Sequence, residues 1–324
     1  MAEPGRVIAI AGVTAGGKTD AAERVAAALG GEVVCADSRQ VYRELEIGTG
    51  KPDRAARARL PHHLFDALAV EDAGAPGHSA SAGWYAAAAR ETCGAIHARG
   101  RVPVLVGGSG LYLRAALEGL APLPPVEPGI RERVRAELAR EGALALHARL
   151  AAMDPETAAR VAPRDAQRVS RALEVLESSG RPLSFWLRQR GTHAVHGAWR
   201  CFELTVPPRT LRERIAARTR WMFDQGLADE VRALRERGLG APLARLRAIG
   251  YDEAAALLDG AIPRAEAERR TSLRTGQLAK RQRTWFRHQL AAERLDAGTE
   301  SAEAIAHRVL AALGRPVDST SGRD

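Results

Sequence analysis

The sequence predicts an α/β fold built on a parallel sheet and interrupted by a helical insertion domain. Segments with the apolar run of a buried strand alternate with alanine-rich segments of helical periodicity, the pattern of a parallel sheet with crossover helices. The strand segments end in polar or glycine-rich turns, which would meet at one edge of the sheet. In the first third of the chain the strand segments are 6–11, 32–36 and 101–106, and the helical segments are 20–29 and 84–99.

A proline-rich break at 121–129 is the clearest domain boundary in the chain. After it, 130–150 and 166–178 have helical periodicity with no strand between them, and strand character returns at 200–206. We therefore expect a discontinuous core over 1–118 and 200–315, mostly helical in its C-terminal part, a helical insertion over 119–199, and a disordered polar tail at 316–324.

The stretch Gly12-Val13-Thr14-Ala15-Gly16-Gly17-Lys18-Thr19 has the spacing of a phosphate-binding loop. It stands between the first strand segment and the first helical segment, as such a loop requires. Its glycines allow backbone N–H groups to point at phosphate oxygens, Lys18 adds a cation, and the Thr19 hydroxyl can hold Mg²⁺. The stretch predicts a P-loop NTPase-like parallel sheet core that binds a di- or triphosphate, and it leaves open whether the phosphate is transferred, hydrolysed or expelled.

Other polar residues follow the strands and are expected near the same edge. Asp37, after the second strand segment, is a Mg²⁺ ligand through water, a general base or a helix N-cap. Ser109, in the glycine turn after the third, either donates to a diphosphate oxygen or caps the next helix. Lys51 either reaches a phosphate or is an ordinary surface lysine. His62 and His63 are expected to be core histidines bonded to backbone, because no third ligand stands nearby at zinc-site spacing.

The formal net charge of +9 favours an anionic partner. In the insertion, Gln167, Arg168 and Arg171 are suited to phosphates and base edges, or form a solvated charged face. The segment 269–290 has no acid and carries interleaved aromatic residues, so it either binds a polyanion or packs its aromatics in the core. Its cations are Arg269, Arg270, Arg274, Lys280, Arg281, Arg283 and Arg287.

The three cysteines, Cys35, Cys93 and Cys201, have no metal-ligand spacing and do not suggest a disulfide framework. The N-terminus lacks the basic start and cleavage site of a signal peptide, and the apolar run 7–13 is too short to span a membrane. We expect a cytoplasmic monomer with no membrane partner.

The motifs, taken in order, resemble those of the bacterial tRNA dimethylallyltransferases, the IPP transferase family. The matching stretches cover nearly the whole chain, from about 10 to 286. They are Gly-x-Thr-Ala-x-Gly-Lys-Thr at 12–19, Asp-Ser-x-Gln-Val-Tyr at 37–42, Ile-Gly-Thr-x-Lys-Pro at 47–52, Pro-His-His-Leu at 61–64, Val-Gly-Gly-Ser-Gly-Leu-Tyr at 106–112, Asp-Ala-Gln-Arg-x-x-Arg-Ala-Leu-Glu at 165–174, Ala-Ile-Gly-Tyr at 248–251 and Ala-Lys-Arg-Gln-x-Thr-Trp-Phe at 279–286.

The resemblance implies that dimethylallyl diphosphate binds with its diphosphate in the 12–19 loop. The tRNA anticodon stem-loop would present the adenosine 3′-adjacent to the anticodon as a flipped base, in tRNAs that read codons beginning with U. Its exocyclic N6 would attack the allylic carbon and diphosphate would leave. The implied cofactor is Mg²⁺, whereas ATP binding would rest on the loop alone.

The resemblance also implies roles for the residues at matching positions. The catalytic residues would be Asp37 as general base, Lys18 and Ser109. The diphosphate would contact Gly12, Val13, Thr14, Ala15, Gly16, Gly17, Lys18 and Thr19, with Thr19 holding Mg²⁺ through the diphosphate. The tRNA would contact Asp37, Ser38, Arg39, Gln40, Ser109, Arg131, Gln167, Arg168, Val169, Ser170, Arg171, Arg247, Ala248, Ile249, Gly250, Tyr251 and Asp252.

Four positions depart from the usual pattern of the family. Val13 stands where Pro is usual, Gly16 where Ser is usual, Ser109 where Thr is usual, and Arg164 where Asn is common. None of these removes a catalytic group, so they bear on geometry and rate and leave the reaction class unchanged.

Three alternatives stay open on the sequence. One is an ATP-dependent small-molecule kinase with the same loop, and another is a prenyltransferase acting on a free adenine nucleotide. The third is a non-enzymatic RNA-binding nucleotide switch. Its GTPase form is excluded, because the sequence has no asparagine and therefore no Asn-Lys-x-Asp guanine motif.

Overall fold

A computed structural model of the chain describes residues 5–73, 80–189, 191–192 and 194–314. The tail expected to be disordered, 316–324, lies outside the described residues. Contacts between Cα atoms divide the chain into two compact units, Met1–Glu118 with Ala194–Asp324, and Gly119–His193.

The core of the first unit is a six-stranded parallel sheet, which confirms the predicted fold class. Its strands are β1 (Val7–Gly12), β2 (Glu32–Cys35), β3 (His62–His63), β4 (Pro103–Gly107), β5 (Trp199–Thr205) and β6 (Glu293–Asp296). Their order across the sheet is β3-β2-β4-β1-β5-β6.

The register aligns the ends of the central strands. Ala11 of β1 pairs with Gly107 of β4, and Cys35 of β2 pairs with Val106 of β4. β1 is buried along its whole length because it has a neighbour on each side and helices over the sheet. The turns that follow β1, β2 and β4 therefore leave the sheet at the same edge, where ligands of parallel sheets bind.

Helices connect the strands, and the second unit has helices and no named strand among its described residues. They are α1 (Lys18–Leu29), α2 (Arg54–Arg59), α3 (Ala82–Ala98), α4 (Gly110–Glu118), α5 (Pro128–Met153), α6 (Pro155–Arg160), α7 (Ala166–Ser179), α8 (Leu183–Leu187), α9 (Pro208–Asp224), α10 (Leu227–Glu236), α11 (Gly240–Leu246), α12 (Tyr251–Leu258), α13 (Arg264–Gln289) and α14 (Ala302–Ala312). In the described ranges no helix has both the length and the apolar composition needed to cross a bilayer.

The segment 208–236 is divided into two helices, since Gly226, with φ 93°, separates α9 from α10. Two details differ from the sequence expectation. The short strands β3 and β6 were not expected, because polar residues occupy most of their positions. The expected insertion, 119–199, extends past the second unit, because the Val195 N–H already donates to the Ala116 carbonyl in the first unit.

The second unit has a hydrophobic core of its own. Leu146 and Leu150 of α5 and Val169 and Leu173 of α7 are fully buried within it. Gly142, with φ 81°, breaks α5 into two arms, a conformation that glycine adopts without a steric penalty. The expected helices at 130–150 and 166–178 are found in α5 and α7.

Candidate active site

The loop between β1 and α1 is folded as a phosphate cradle around Lys18. Gly12 has φ 145°, and a Cβ there would lie 2.6 Å from the Leu204 carbonyl oxygen of the neighbouring strand, so only glycine fits. Gly17 has φ 79° and begins α1. The Lys18 ammonium donates to the Val13 carbonyl at 2.7 Å. The loop therefore presents the start of a helix and a lysine to the edge of the sheet.

Burial lowers the pKa of Lys18 from 10.5 to about 8. The negative charge of Asp37 opposes this shift in pKa, and the positive charge of Arg218 adds to it. Burial also lowers the pKa of Arg218, again against the influence of Asp37. Three charged groups from three separate parts of the chain therefore act on one another at the phosphate loop.

The two oxygens of the Asp37 carboxylate have different surroundings. Oδ1 accepts the Arg39 N–H at 2.8 Å and the Gln40 N–H at 3.4 Å. These bonds close a turn and not the first turn of a helix, so the N-cap alternative is wrong. Oδ2 has no hydrogen-bond partner among the described residues. One oxygen holds the backbone, and the other is left for a ligand.

Ser109 joins the turns that follow β2 and β4. Its hydroxyl accepts the Ser38 N–H at 2.9 Å, and its own N–H donates to the Ala36 carbonyl at 3.2 Å. The hydroxyl therefore does not cap α4, and its proton remains available to a ligand. The approach is so close that a Cβ at Gly107 would lie 2.0 Å from the Ala36 oxygen.

Arg218 of α9 is a site residue that the sequence did not single out. Its guanidinium donates to the Thr49 carbonyl at 2.9 Å. A Cβ at Gly50 would lie 2.0 Å from the same guanidinium. The sequence does place Arg214, Arg218 and Met222 on one helix face. Nothing in that spacing indicates that the face meets the phosphate loop.

Two cavities meet at this edge of the sheet. The phosphate cavity, of about 430 Å³, surrounds Lys18 and Thr19. The second cavity, of about 380 Å³, is lined by Ser109 and Arg247 among other residues. Both are lined by Thr14, Ala15, Asp37, Thr49 and Arg218. A ligand in the phosphate loop and a second ligand in the other cavity would therefore share these walls.

Most of the expected RNA-contacting residues of the first unit line the second cavity. They are Asp37, Ser38, Arg39, Ser109, Arg247, Ala248, Ile249 and Tyr251. Gln40 instead lines the phosphate cavity, and its amide donates to the carbonyls of Thr49 and Gly50. Gly250 and Asp252 line neither cavity, and Asp252 lies 2.9 Å from the Arg274 guanidinium.

The other expected RNA-contacting residues belong to the second unit. The side chains of Arg131, Gln167 and Arg168 are exposed there, and Arg171 lies 3.4 Å from Glu174. Val169 is fully buried in the core of this unit, so its side chain is not exposed and only its backbone is left for the expected RNA contact. The Ser170 hydroxyl is buried as well, with no hydrogen-bond partner among the described residues.

Lys51 and the paired histidines have structural partners. The Lys51 ammonium donates to the Tyr42 carbonyl and to Asp66, and its side chain is 1% exposed, so it is not a surface lysine. His62 bonds the Leu60 carbonyl as expected, but His63 contacts the Glu32 carboxylate at 2.6 Å. The described part of the chain contains no cluster of three or more His, Cys, Asp or Glu that could hold a metal.

The basic helix α13 has two different halves. Arg269 and Arg270 pair with Glu266, and Arg274 pairs with Asp252 and Glu253. In the other half, the cations have no carboxylate partner among the described residues. These are Lys280, Arg281, Arg283 and Arg287.

The aromatic residues of the same helix pack inward. Phe286 is 1% exposed, and the ring of Trp285 is so close to Gly110 that a Cβ there would lie 2.1 Å from it. The core interpretation is therefore confirmed for Phe286, whereas Trp285 packs against the core and stays half-buried. Trp285 and the unpaired Arg281 line one cavity, so core packing does not exclude polyanion binding beside these aromatics.

Comparison with known proteins identifies the family. The profile of the family described as IPP transferase matches residues 40–289, and that described as isopentenyl transferase matches 5–61. The tRNA dimethylallyltransferase of Halorhodospira halophila is 44% identical over 310 residues, which are 95% of this chain and 98% of that protein. The tRNA dimethylallyltransferase of Sorangium cellulosum is 44% identical over 89% of this chain and 90% of its own length.

Solved structures agree with this result. The tRNA isopentenylpyrophosphate transferase of Bacillus halodurans superposes with a TM-score of 0.67 at 32% identity, covering 95% of each chain. A eukaryotic dimethylallyltransferase acting on tRNA has a TM-score of 0.80 over 98% of this chain and 81% of its own, and at 24% identity it supports the fold alone. From the profile match and the relatives at 44% identity, the chain belongs to the IPP transferase family.

Proposed function

We propose that the protein transfers a dimethylallyl group from dimethylallyl diphosphate to N6 of the adenosine 3′-adjacent to the anticodon, in tRNAs that read codons beginning with U. Relatives named tRNA dimethylallyltransferase support this reaction. The observation that carries the proposal is that Asp37 and Arg218 border both the phosphate cavity and the second cavity. A prenyl donor and an RNA base entering these two cavities would meet beside Asp37.

The donor side supplies positive charge to the leaving diphosphate. Lys18, Arg218 and the N–H groups at the start of α1 all face the phosphate cavity or lie on its rim. As the allylic C–O bond breaks, its electron pair goes to the diphosphate, and groups placed in advance around those oxygens stabilise that charge without rearranging. The Ser109 hydroxyl is a further donor, to a diphosphate oxygen or to the RNA.

The donor set of the loop fits a diphosphate-bound Mg²⁺. Mg²⁺ prefers oxygen ligands and usually keeps several waters, with few protein groups and the substrate phosphates completing its shell. The Thr19 hydroxyl lines the phosphate cavity and is the protein ligand we assign. When bound, the ion would neutralise charge on the diphosphate.

On the acceptor side, Asp37 is the proposed general base. An exocyclic adenine amine is a weak nucleophile, and its proton must leave as the C–N bond forms. The Oδ2 atom has no other hydrogen-bond partner among the described residues, so it can orient the amine and accept that proton. Oδ1 meanwhile keeps the turn that carries Arg39 and Gln40 in place.

We propose that the anticodon stem-loop binds the basic surface around the second cavity. The exposed cations of the second unit are a separate candidate for contact with the tRNA. Arg39, Arg247 and Arg281 border that cavity, and Arg168 is exposed on the second unit. Phosphate neutralisation by such residues supplies most of the affinity for RNA. We also propose that the protein acts as a monomer in the cytoplasm.

The test is transfer of label to RNA. Purified protein, Mg²⁺ and labelled dimethylallyl diphosphate are mixed with an unmodified tRNA whose anticodon is followed by adenosine, and with the same tRNA carrying guanosine there. Label on the first tRNA alone is the expected result. Label on free adenine nucleotide but not on tRNA would identify the nucleotide prenyltransferase instead. ATP turnover with no prenyl transfer would identify the kinase.

A further inference from the structure

Gln282 of α13 reaches between two loops of the active site. Its Oε1 accepts the Thr14 N–H of the phosphate loop at 2.9 Å, and its Nε2 donates to the Gly108 carbonyl at 2.9 Å. One partner is a donor and the other an acceptor, so the orientation of the amide is determined by its partners. A carboxylate or an apolar side chain of similar size could not make both bonds.

Gly108 is shaped to receive this amide. A Cβ at Gly108 would lie 2.4 Å from Gln282 Nε2 and 3.3 Å from the Gly12 carbonyl oxygen. The φ of Gly108 is outside the positive range, so its backbone would accept alanine. The space that the glycine leaves is therefore occupied by the glutamine side chain.

The Gly108 end of this bridge leads to the proposed base. Gly108 adjoins Ser109, whose hydroxyl accepts the Ser38 N–H, and Ser38 directly follows Asp37. The Thr14 end is part of the loop that we assign to the diphosphate. Gln282 therefore links the donor loop to the turn that carries the base.

We propose that Gln282 is a positioning residue that sets the distance between the phosphate loop and the Asp37 turn. This inference rests on the proposed function for its effect on rate. Displacement of reacting groups by about 1 Å can cost roughly 10²-fold in rate. Lys18, Thr19 and Arg218 line the phosphate cavity and Gln282 does not, so we expect donor affinity to be largely independent of Gln282.

The first experiment is the steady-state kinetics of Gln282→Met, which preserves the size of the side chain and removes both hydrogen bonds. We expect kcat to fall about 10- to 100-fold while KM for dimethylallyl diphosphate changes less than about threefold. Gln289→Met on the same helix is the matched control, because Gln289 is exposed and bonds only Arg114 among the described residues. A loss of kcat in the control as large as in Gln282→Met, or a changed KM with unchanged kcat, would overturn the inference.

A double-variant cycle tests the fit between Gly108 and Gln282. Gly108→Ala alone should lower kcat at least about tenfold, because the new methyl group displaces the amide. In the Gln282→Ala background the same change should lower kcat no more than about threefold, since the amide is gone. Equal losses in the two backgrounds would contradict the inference.

A readout without substrate separates this inference from the proposed function. The Thr14 amide proton should exchange with solvent at least about tenfold faster in Gln282→Met, while exchange within α1 is unchanged. If the protein without substitutions transferred no dimethylallyl group, the proposed function would fail. The exchange rates would still test whether Gln282 links the phosphate loop to the Gly108 turn. Unchanged exchange at Thr14 would overturn it.

Discussion

We assign two tasks to Asp37, one to each oxygen of its carboxylate. We expect Asp37→Asn to lower single-turnover transfer by roughly 10²-fold or more, because it removes the general base while an amide oxygen still accepts the Arg39 N–H. RNA affinity should change less than about threefold. Asp37→Ala should lose the same activity and also loosen the turn, which RNA affinity would report. If Asp37→Asn transferred the dimethylallyl group as fast as the protein without substitutions, Asp37 would be excluded as the base.

The low pKa of Lys18 predicts a pH dependence of diphosphate binding. The buried amine loses its charge as pH rises through about 8, so pyrophosphate affinity attributable to Lys18 should fall above that pH, by up to about tenfold per unit. A bound diphosphate favours the charged amine, so the loss begins near the pKa of the free protein and continues up to the higher pKa that Lys18 has in the complex. Calorimetric titration between about pH 7 and 10 measures it, and the ratio to Lys18→Arg removes the titration of the ligand itself. A constant ratio would contradict the prediction.

Arg218 of α9 lines the phosphate cavity and is expected to stabilise the leaving diphosphate. Arg218→Met should weaken pyrophosphate binding and lower the transfer rate, each by roughly tenfold or more, since it removes a desolvated cation beside Lys18 and Asp37. Arg220→Met, an exposed arginine on the same helix, is the control. Equal effects of the two substitutions would show that only the net charge matters.

Helix α13 both packs in the core and carries the unpaired cations that are available to RNA. Phe286 secures it in the core, and the cations of its C-terminal half have no carboxylate partner among the described residues. The composition of the helix does not show which of its cations are paired with a carboxylate. In the folded protein, Arg269 and Arg270 share the single negative charge of Glu266, so together they offer less charge to an RNA phosphate than two unpaired arginines do.

This difference predicts the salt dependence of RNA binding. Combining Arg283→Gln with Arg287→Gln should reduce the log–log slope of affinity against salt by about 0.7 to 0.9 for each phosphate that is no longer neutralised. Combining Arg269→Gln with Arg270→Gln makes the same change in formal charge but should reduce the slope by less, because Glu266 already offsets one of the two charges. Filter binding over a range of salt concentrations measures both. Equal reductions in the two double variants would mean that the pairing with Glu266 does not matter.

At the scale of the whole molecule, we expect the first unit to fold without the helical second unit. The chain leaves and re-enters the first unit at neighbouring points, since the Val195 N–H donates to the Ala116 carbonyl at 2.7 Å. Each unit has its own hydrophobic core. All the residues that line the two cavities belong to the first unit.

Replacing 119–193 with a short Gly-Ser linker should therefore leave a cooperatively folded protein that binds pyrophosphate within about threefold of the full chain. RNA affinity should fall at least about tenfold, because the exposed Arg131, Gln167 and Arg168 are removed with the unit. Thermal unfolding and the two binding assays test this. Unchanged RNA affinity would show that the second unit takes no part in binding.

Local patterns were sufficient for the main elements. The apolar runs of β1, β2, β4 and β5 and the phosphate loop were predicted because strand burial and glycine spacing leave a direct mark on adjacent residues. β3 and β6 were not predicted, because they lie at the sheet edges and Leu295 is the one buried residue of β6. An edge strand needs few apolar side chains, so its pattern resembles a loop.

The sequence by itself determined the parallel α/β core, the phosphate loop and the family, since each depends on residues close together in the chain or on motifs in a specific order. It also named Asp37, Ser109 and Lys18. Only the tertiary structure decided that Arg218 and Gln282 contact the loops around the phosphate cavity, that the Val169 side chain is buried, and that the cations in one half of the basic helix are paired with carboxylates. Such facts depend on which helix face meets which loop across long separations in sequence, and charge or periodicity within one segment carries no information about that contact.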